Sequence, residues 1–369
     1  MVSTSLADLE TPIPLVDLDR LDRNLDRMAA YASEHGLALR PHIKTHKSPR
    51  IAAEQLQRGA VGVTCATVRE AEVMSEVASD ILVAYPILGS SKLQRLMALP
   101  PSVRITVALD SAAAVEQLAA AAREHGRTVG VYVEIDGGMH RVGVSTPDEA
   151  VALARLVTER APLEYAGIAF YPGHIRQGPA EQQQALAQLA RDLHTFTIAL
   201  ERAGLPPQVV SGGSTPTAWR THEIPEVTEF RPGTYVYNDR TSAAVGACTW
   251  DDCAFTVLAT VVSTAVPGQA VIDAGTKALG REPVRGVAGE GFGALLDRPE
   301  VTVRAMSEEH GILDLSTTDW RPAVGDLVRV VPNHVCIVVH LNDVIYGVRG
   351  DTVESCWPVA ARGRGQGQG

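Results

Sequence analysis

The sequence predicts an α/β chain: a (β/α)8 TIM-like barrel followed by a second, smaller C-terminal β domain. Two features carry that expectation. Over the first two-thirds, short β-branched runs alternate with longer amphipathic ones. After about Tyr237 the rhythm changes to short β-rich segments separated by Gly, Pro and Asp. Strand and helix in alternation mean parallel strands with crossover helices. About eight such strands is the number that closes a barrel. A doubly wound open sheet has the same alternation and stands as the alternative.

The opening helix is read from Asp17 to Gly36. Leu18, Leu21, Leu25, Met28 and Ala32 fall on one helical face there, and His35-Gly36 supplies the stop. Barrel strands are expected within Leu37–Lys44, Val61–Thr67, Asp80–Tyr85, Val103–Leu109, Val129–Ile135, Tyr165–Tyr171, Gln208–Ser211 and Val227–Phe230. The clearest helical patterns between them are Ser111–Gly126, Pro147–Arg160 and Pro179–Gly204. In the last third, strand-like segments are Cys253–Val266, Gln269–Asp273, Gly286–Ala288, Val301–Arg304, Leu327–Val331 and Val335–Leu341. The expected division is a barrel over 1–240, whose first ~15 residues can pack on the β domain, and a β-rich domain over 241–360. A low-complexity tail at 361–369 is expected to be disordered.

Bulk properties narrow the function classes. Hydrophobic residues make up 45% and charged residues 21% of 369, an ordinary globular balance. A net charge of −10 with no basic run argues against a nucleic-acid partner. No stretch of about 18 apolar residues offers a membrane span, and Met1–Leu6 has no signal-peptide pattern. Cys65, Cys248, Cys253, Cys336 and Cys356 are scattered and odd in number, which suits reduced thiols and a cytoplasmic location.

Four clusters can carry chemistry. Arg40-Pro41-His42-Ile43-Lys44-Thr45-His46-Lys47 ends the first barrel strand, the end at which barrel enzymes keep their active sites. A lysine there, near apolar Ile43 and other cations, is placed for amine chemistry; the plain alternative is a basic surface turn. Ser211-Gly212-Gly213-Ser214-Thr215-Pro216-Thr217 follows a strand. It offers amides and hydroxyls to an anion, but has neither the Walker lysine nor the dinucleotide fingerprint. An ordinary Gly-rich turn is the competing reading. Glu229 to Asp239 closes the barrel region, and Gly233 with Tyr235 can complete a phosphate cup. In Pro332-Asn333-His334-Val335-Cys336, positions i and i+2 of a strand would turn His334 and Cys336 to one face. That pair suits zinc, with positions left open; a buried cysteine beside a polar histidine is the alternative.

Together these pieces resemble the D-threonine aldolase and D-serine dehydratase group of pyridoxal-phosphate enzymes with the alanine-racemase fold. The matching stretches run from Thr11-Pro12 through the Lys44, Ser211–Thr217 and Arg231–Tyr235 segments and Glu309-His310-Gly311 to Cys336. The resemblance implies that Lys44 carries the cofactor as a Schiff base. Arg141 would lie near its phenolic oxygen, Tyr171 or His174 near its ring, and Arg231 opposite the pyridine nitrogen. Gly213, Ser214, Thr215, Gly233 and Tyr235 would cup the phosphate. His334 and Cys336 would hold a divalent metal (zinc, manganese or magnesium), with His310 as a base or supporting group.

The resemblance further implies a homodimer acting on small D-β-hydroxy amino acids. Retro-aldol cleavage and dehydration are both within reach of that chemistry. The His-x-Cys pair resembles the dehydratases, whereas Tyr171–Gln177 and Ser211–Thr217 look more like the aldolases; the aldolase reading is taken as the expectation. A racemase would leave His334 and Cys336 without a role. A non-catalytic cofactor-binding barrel would not need the residues after 240.

Overall fold

The computed structural model describes residues 4–286 and 291–363. Eight parallel strands form one sheet: Ala38–Leu39, Val63–Cys65, Asp80–Val83, Arg104–Leu109, Val129–Glu134, Leu163–Ala169, Val209–Gly212 and Glu229–Phe230. Each falls within or across one of the eight expected runs. The sheet order follows the chain from Val63–Cys65 to Glu229–Phe230, which then pairs with Ala38–Leu39. The first and last members are joined as well. Val61 N donates to Leu39 O at 2.9 Å and Thr64 N to Pro41 O at 2.8 Å, and His42 bridges Thr64.

Leu82, Ala108, Tyr132, Ala166 and Ala169 pack into one buried cluster inside this sheet. The helices follow the apolar spacing. Leu18–Glu34 buries Leu18, Leu21, Leu25, Met28 and Ala32, the residues that predicted it. Pro147–Thr158 opens with a capping box between Thr146 and Glu149. The expected Pro179–Gly204 element is a single turn, Pro179–Glu181, followed by the helix Gln183–Arg202.

The second sheet has ten strands, built mainly from residues after 254. It also takes in the N-terminal strand Ile13–Asp17, which runs antiparallel to Phe255–Leu258 and parallel to Tyr346–Val348. Among the described residues, 4–26, 45–47, 234–286 and 291–360 fall in this compact unit. Residues 27–44, 48–233 and 361–363 make up the other. The division therefore falls before Thr234 rather than after residue 240. Residues 234–240 bond within the β unit: Ala254 N donates to Tyr237 O at 2.7 Å, and Arg240 Nη1 to Asn333 Oδ1 at 3.1 Å.

Two expectations for the last third need correction or completion. Val335–Leu341 is a helix, not a strand. Its β-branched residues read as strand, but Val335, Val338 and Val339 are the buried ones, a three-and-four spacing that only a helix turns to one side. The strands Thr4–Ser5, Gly293–Leu295, Gly311–Asp314, Val344–Arg349 and Thr352–Pro358 complete the sheet. Of the expected Gly286–Ala288 segment, residues 287 and 288 lie outside the described residues, as do 364–369 of the tail. No helix among the described residues is long and apolar enough to cross a membrane.

Candidate active site

The parallel sheet sends its strand ends into one set of loops. After Ala38–Leu39 the ladder continues through Arg40 N to Phe230 O and His42 N to Pro232 O, both 2.9 Å. Ile43–Thr45 then makes a tight turn that carries Lys44. Lys44 is half-buried, and its Nζ stands 5.6 Å from the centroid of the Tyr171 ring. Arg141 comes to the same ring from another loop, Cζ 5.2 Å from the centroid. Tyr171 follows strand Leu163–Ala169, where Phe170 N donates to Ser211 O at 3.0 Å. Gly173 lets the chain pass flat against the tyrosine: a Cβ there would come within 2.9 Å of the ring's Cδ1.

The loop after Val209–Gly212 is folded on itself. Gly213 has φ +94°, and a Cβ on it would lie 2.5 Å from the Phe230 ring. Only glycine meets both conditions. Ser214 and Thr215 follow, both buried. The hydroxyls of Ser214 and Thr217 are 3.1 Å apart, and the Thr217 hydroxyl donates to Ser214 O at 3.3 Å. Gln182 ties this loop to the one bearing Tyr171, its Nε2 donating to Gln177 O at 2.7 Å and Pro216 O at 2.8 Å. Gly233 ends the parallel-sheet unit, while Tyr235 is buried in the turn Thr234–Val236 of the β unit.

Arg231 is buried, with Nη2 donating to Phe170 O at 2.7 Å and to Ser211 O at 3.3 Å. Its Nε is buried without a hydrogen-bond partner among the described residues. Glu134, at the end of its strand, also has a buried oxygen without a partner. Burial raises its pKa, against the pull of the Arg231 and Arg141 charges. The sequence reading missed Glu134, since one acid at the end of an apolar strand carries no motif. It lines a small pocket with Gly137, Arg141 and Tyr171. His174 is exposed, lies against Gly138 and has its pKa lowered by burial, with Asp136 opposing.

In the β unit, His334 caps the helix Val335–Leu341 and Cys336 is its second residue. The pair thus sits at a strand-to-helix junction rather than along a strand. The two side chains still meet, within hydrogen-bonding reach of each other. Thr45, the residue after Lys44, places its hydroxyl 3.3 Å from the Cys336 sulfur. On the other side Asp239 Oδ2 lies 3.1 Å from His334 Nδ1. No group of three or more His, Cys, Asp or Glu side chains set to hold a metal occurs among the described residues, so the pair supplies at most two such ligands. His310 is exposed, next to strand Gly311–Asp314, and its carbonyl accepts from Ser307 N at 2.9 Å.

Residues 16–241 match the family described as "Alanine racemase, N-terminal domain", and residues 254–348 the "Putative serine dehydratase domain". The chain is 33% identical to 3-hydroxy-D-aspartate aldolase of Paracoccus denitrificans (strain Pd 1222), covering 97% of this chain and 94% of that one. It is 36% identical to D-threo-3-hydroxyaspartate dehydratase of Delftia sp. (strain HT23), over 90% and 92% of the two chains. The crystal structure of D-threonine aldolase from Filomicrobium marinum superposes with a TM-score of 0.90 at 34% identity, over 98% of each chain.

The chain belongs to the D-threonine aldolase and D-serine dehydratase family. It is a lyase-type pyridoxal-phosphate enzyme with an alanine-racemase-like fold. The residues fit that cofactor. A half-buried amine and a guanidinium share one aromatic ring, a glycine cradle carries two buried hydroxyl residues, and a buried guanidinium nitrogen stands without a partner. Of the residues the sequence singled out, Lys44, Arg141 and Tyr171 converge directly. Gly213, Ser214 and Thr215 form one loop, and Arg231 bonds the backbone on either side of it. His174 packs on the Gly138 loop. His334 and Cys336 fit a divalent metal by their chemistry, an imidazole beside a thiol.

Proposed function

We propose that this enzyme cleaves D-β-hydroxy-α-amino acids by a retro-aldol reaction, of the type that converts D-threonine to glycine and acetaldehyde. Lys44 would hold pyridoxal phosphate, and His334 with Cys336 a divalent metal. The observation that carries the reading is the pair of cations on Tyr171, together with the Gln182 tie between loops 171–177 and 211–217. Both loops look like those of the aldolases. The five free cysteines support a reducing, cytoplasmic setting, and the family resemblance supports a homodimer.

When bound, the cofactor supplies an electron sink for a carbanion at the substrate's α-carbon. A metal on His334 and Cys336 supplies Lewis acidity. The rest falls to the chain's own residues. Gly213, Ser214, Thr215, Gly233 and Tyr235 would donate to the phosphate, and Tyr171 would lie along the ring. Arg231 would offer its Nε toward the pyridine nitrogen and Arg141 a cation near the phenolic oxygen. A base takes the β-hydroxyl proton; His174, whose pKa is lowered, and His310 are the two imidazoles for that task. The Cα–Cβ bond then breaks, the aldehyde leaves, and a proton delivered to Cα, for which Lys44 is placed, completes glycine.

The Cys336 partner to His334 favours a second reading, dehydration. Lys44 would then remove the α-proton and the β-hydroxyl would leave as water; the resulting enamine would tautomerise to an imine, which water hydrolyses to a keto acid and ammonia. Product identification with D-threonine, pyridoxal phosphate and a panel of divalent metals decides between them. Glycine with acetaldehyde is the expected result. 2-Oxobutanoate with ammonia would overturn it in favour of dehydration, and L-allo-threonine, the Cα epimer, formed indifferently to a chelator would mean a racemase.

A further inference from the structure

Asp239 makes four hydrogen bonds from a position 1% exposed to solvent. Oδ1 accepts from Ser242 N and Ser242 Oγ, both at 2.7 Å, which caps the short helix Arg240–Ala244. Oδ2 accepts from Val335 N at 3.1 Å and faces His334 Nδ1 at 3.1 Å. An ionised carboxylate only accepts hydrogen bonds, so the proton of this last contact resides on Nδ1. In its neutral form the imidazole then has its lone pair on Nε2, the form a metal requires.

Capping alone does not call for this arrangement, because Oδ1 alone satisfies the helix start. The second oxygen is spent on the residue at one end of the His334–Cys336 pair and on the amide between them. Thr45 approaches Cys336 from elsewhere in the same unit, its hydroxyl 3.3 Å from the sulfur. Each member of the pair therefore has a polar neighbour of its own, but only the histidine has one that fixes which nitrogen is free.

We infer that Asp239 is a positioning residue for the metal: its carboxylate holds His334 in the tautomer and ring orientation that present Nε2 beside the Cys336 sulfur. The inference rests on the reading that His334 and Cys336 hold a divalent metal. It assigns a role that the sequence reading, which quoted Asp239 only as the end of a motif, did not.

The test uses the pyridoxal-phosphate-loaded enzyme stripped of metal, with zinc titrated against a chromogenic chelator and cobalt(II) as a spectroscopic probe. Asp239→Asn is the informative variant, because asparagine keeps an oxygen for the Ser242 cap while its amide nitrogen cannot accept from His334 Nδ1. Zinc affinity is expected to fall about ten- to a hundredfold, the usual effect of losing an outer-shell partner. The thiolate-to-cobalt band from Cys336 and the melting temperature should stay close to wild type. Zinc binding by Asp239→Asn within threefold of wild type, with Cys336→Ala losing zinc, would overturn the role of Asp239 and leave the metal reading intact. Loss of the cobalt band together with the melting temperature would reduce Asp239 to a structural cap. Wild-type zinc binding by both His334→Ala and Cys336→Ala would instead remove the metal reading itself.

Discussion

The amine of Lys44 stands 5.6 Å from the centroid of the Tyr171 ring, on a side chain that comes from a different strand of the parallel sheet. With Arg141 on the same ring, the phenol brings into register two cations that the sequence keeps almost a hundred positions apart.

Lys44→Ala is expected to abolish turnover and to lose the visible absorbance of the bound cofactor after gel filtration. A variant that keeps both would show that the amine is not the attachment point. Tyr171→Ala, which leaves both cations in place, should weaken cofactor retention without abolishing it. Fluorescence titration with pyridoxal phosphate measures that loss.

Chelation should remove activity, and added zinc, manganese or magnesium should restore it. In Cys336→Ala the metal content after dialysis is expected to drop well below one per chain, with turnover falling in parallel. Unchanged activity and metal content would sink the assignment of Cys336.

Gly213→Ala places a methyl group 2.5 Å from the Phe230 ring at a residue with φ +94°. Overpacking of this kind costs about 1–3 kcal/mol. The loop that would take the phosphate has to shift with it. Both a lower melting temperature and weaker cofactor binding are expected, and a variant matching wild type in both would contradict the cradle.

Beneath these loops Arg40 bridges two acids, Nε to Glu229 at 2.7 Å and Nη1 to Asp80 at 2.7 Å, while Ser211 Oγ donates to the other Glu229 oxygen at 2.6 Å. The Arg40 and Glu229 side chains are 7% and 4% exposed. Glu229→Gln leaves a buried guanidinium short of charge, a loss of about 3–5 kcal/mol for a buried pair. Urea unfolding measures it. A loss below about 1 kcal/mol, the range of exposed pairs, would mean that water reaches the network.

His35 and His222 stack with ring centroids 3.9 Å apart, and the Tyr31 hydroxyl lies 2.8 Å from His222 Nδ1. Burial, and after it the His35 charge, lowers the His222 pKa. Below about pH 6.5 the unfolded chain then binds more protons than the folded one. The contribution to stability is full above that pH and declines as pH falls through it. Between pH 7 and 5 the melting temperature of wild type should fall further than that of His222→Gln. Equal falls in the two proteins would dismiss the stack as a source of acid sensitivity.

Much of the fold was legible in the sequence because the parallel strands are short, buried apolar runs between helices with clear caps. Lys44, Arg141, Tyr171 and the Gly213 loop were legible because glycine, proline and cation patterns mark loops at strand ends. Val335–Leu341 misled because β-branched composition outweighed spacing, and only its burial at three-and-four intervals shows the helix. Thr352–Pro358 escaped notice because most of its side chains are exposed or half-buried, so no apolar run announces it. Glu134 and Asp239 did not stand out in the sequence, because the groups each faces lie far away in the chain: Arg231 for one, His334 for the other.

The strand Ile13–Asp17 is synthesised before every strand of the parallel sheet, yet the strands that flank it begin at Phe255 and Val344. At roughly 5–20 residues per second, every segment of the parallel sheet is synthesised while this strand still waits for its neighbours. Residues 27–44 and 48–233 can therefore assemble during translation, with the β unit completed only after Val344–Arg349 is made. A truncation before residue 344 would strand the N-terminal segment as an exposed edge, and such fragments are expected to aggregate.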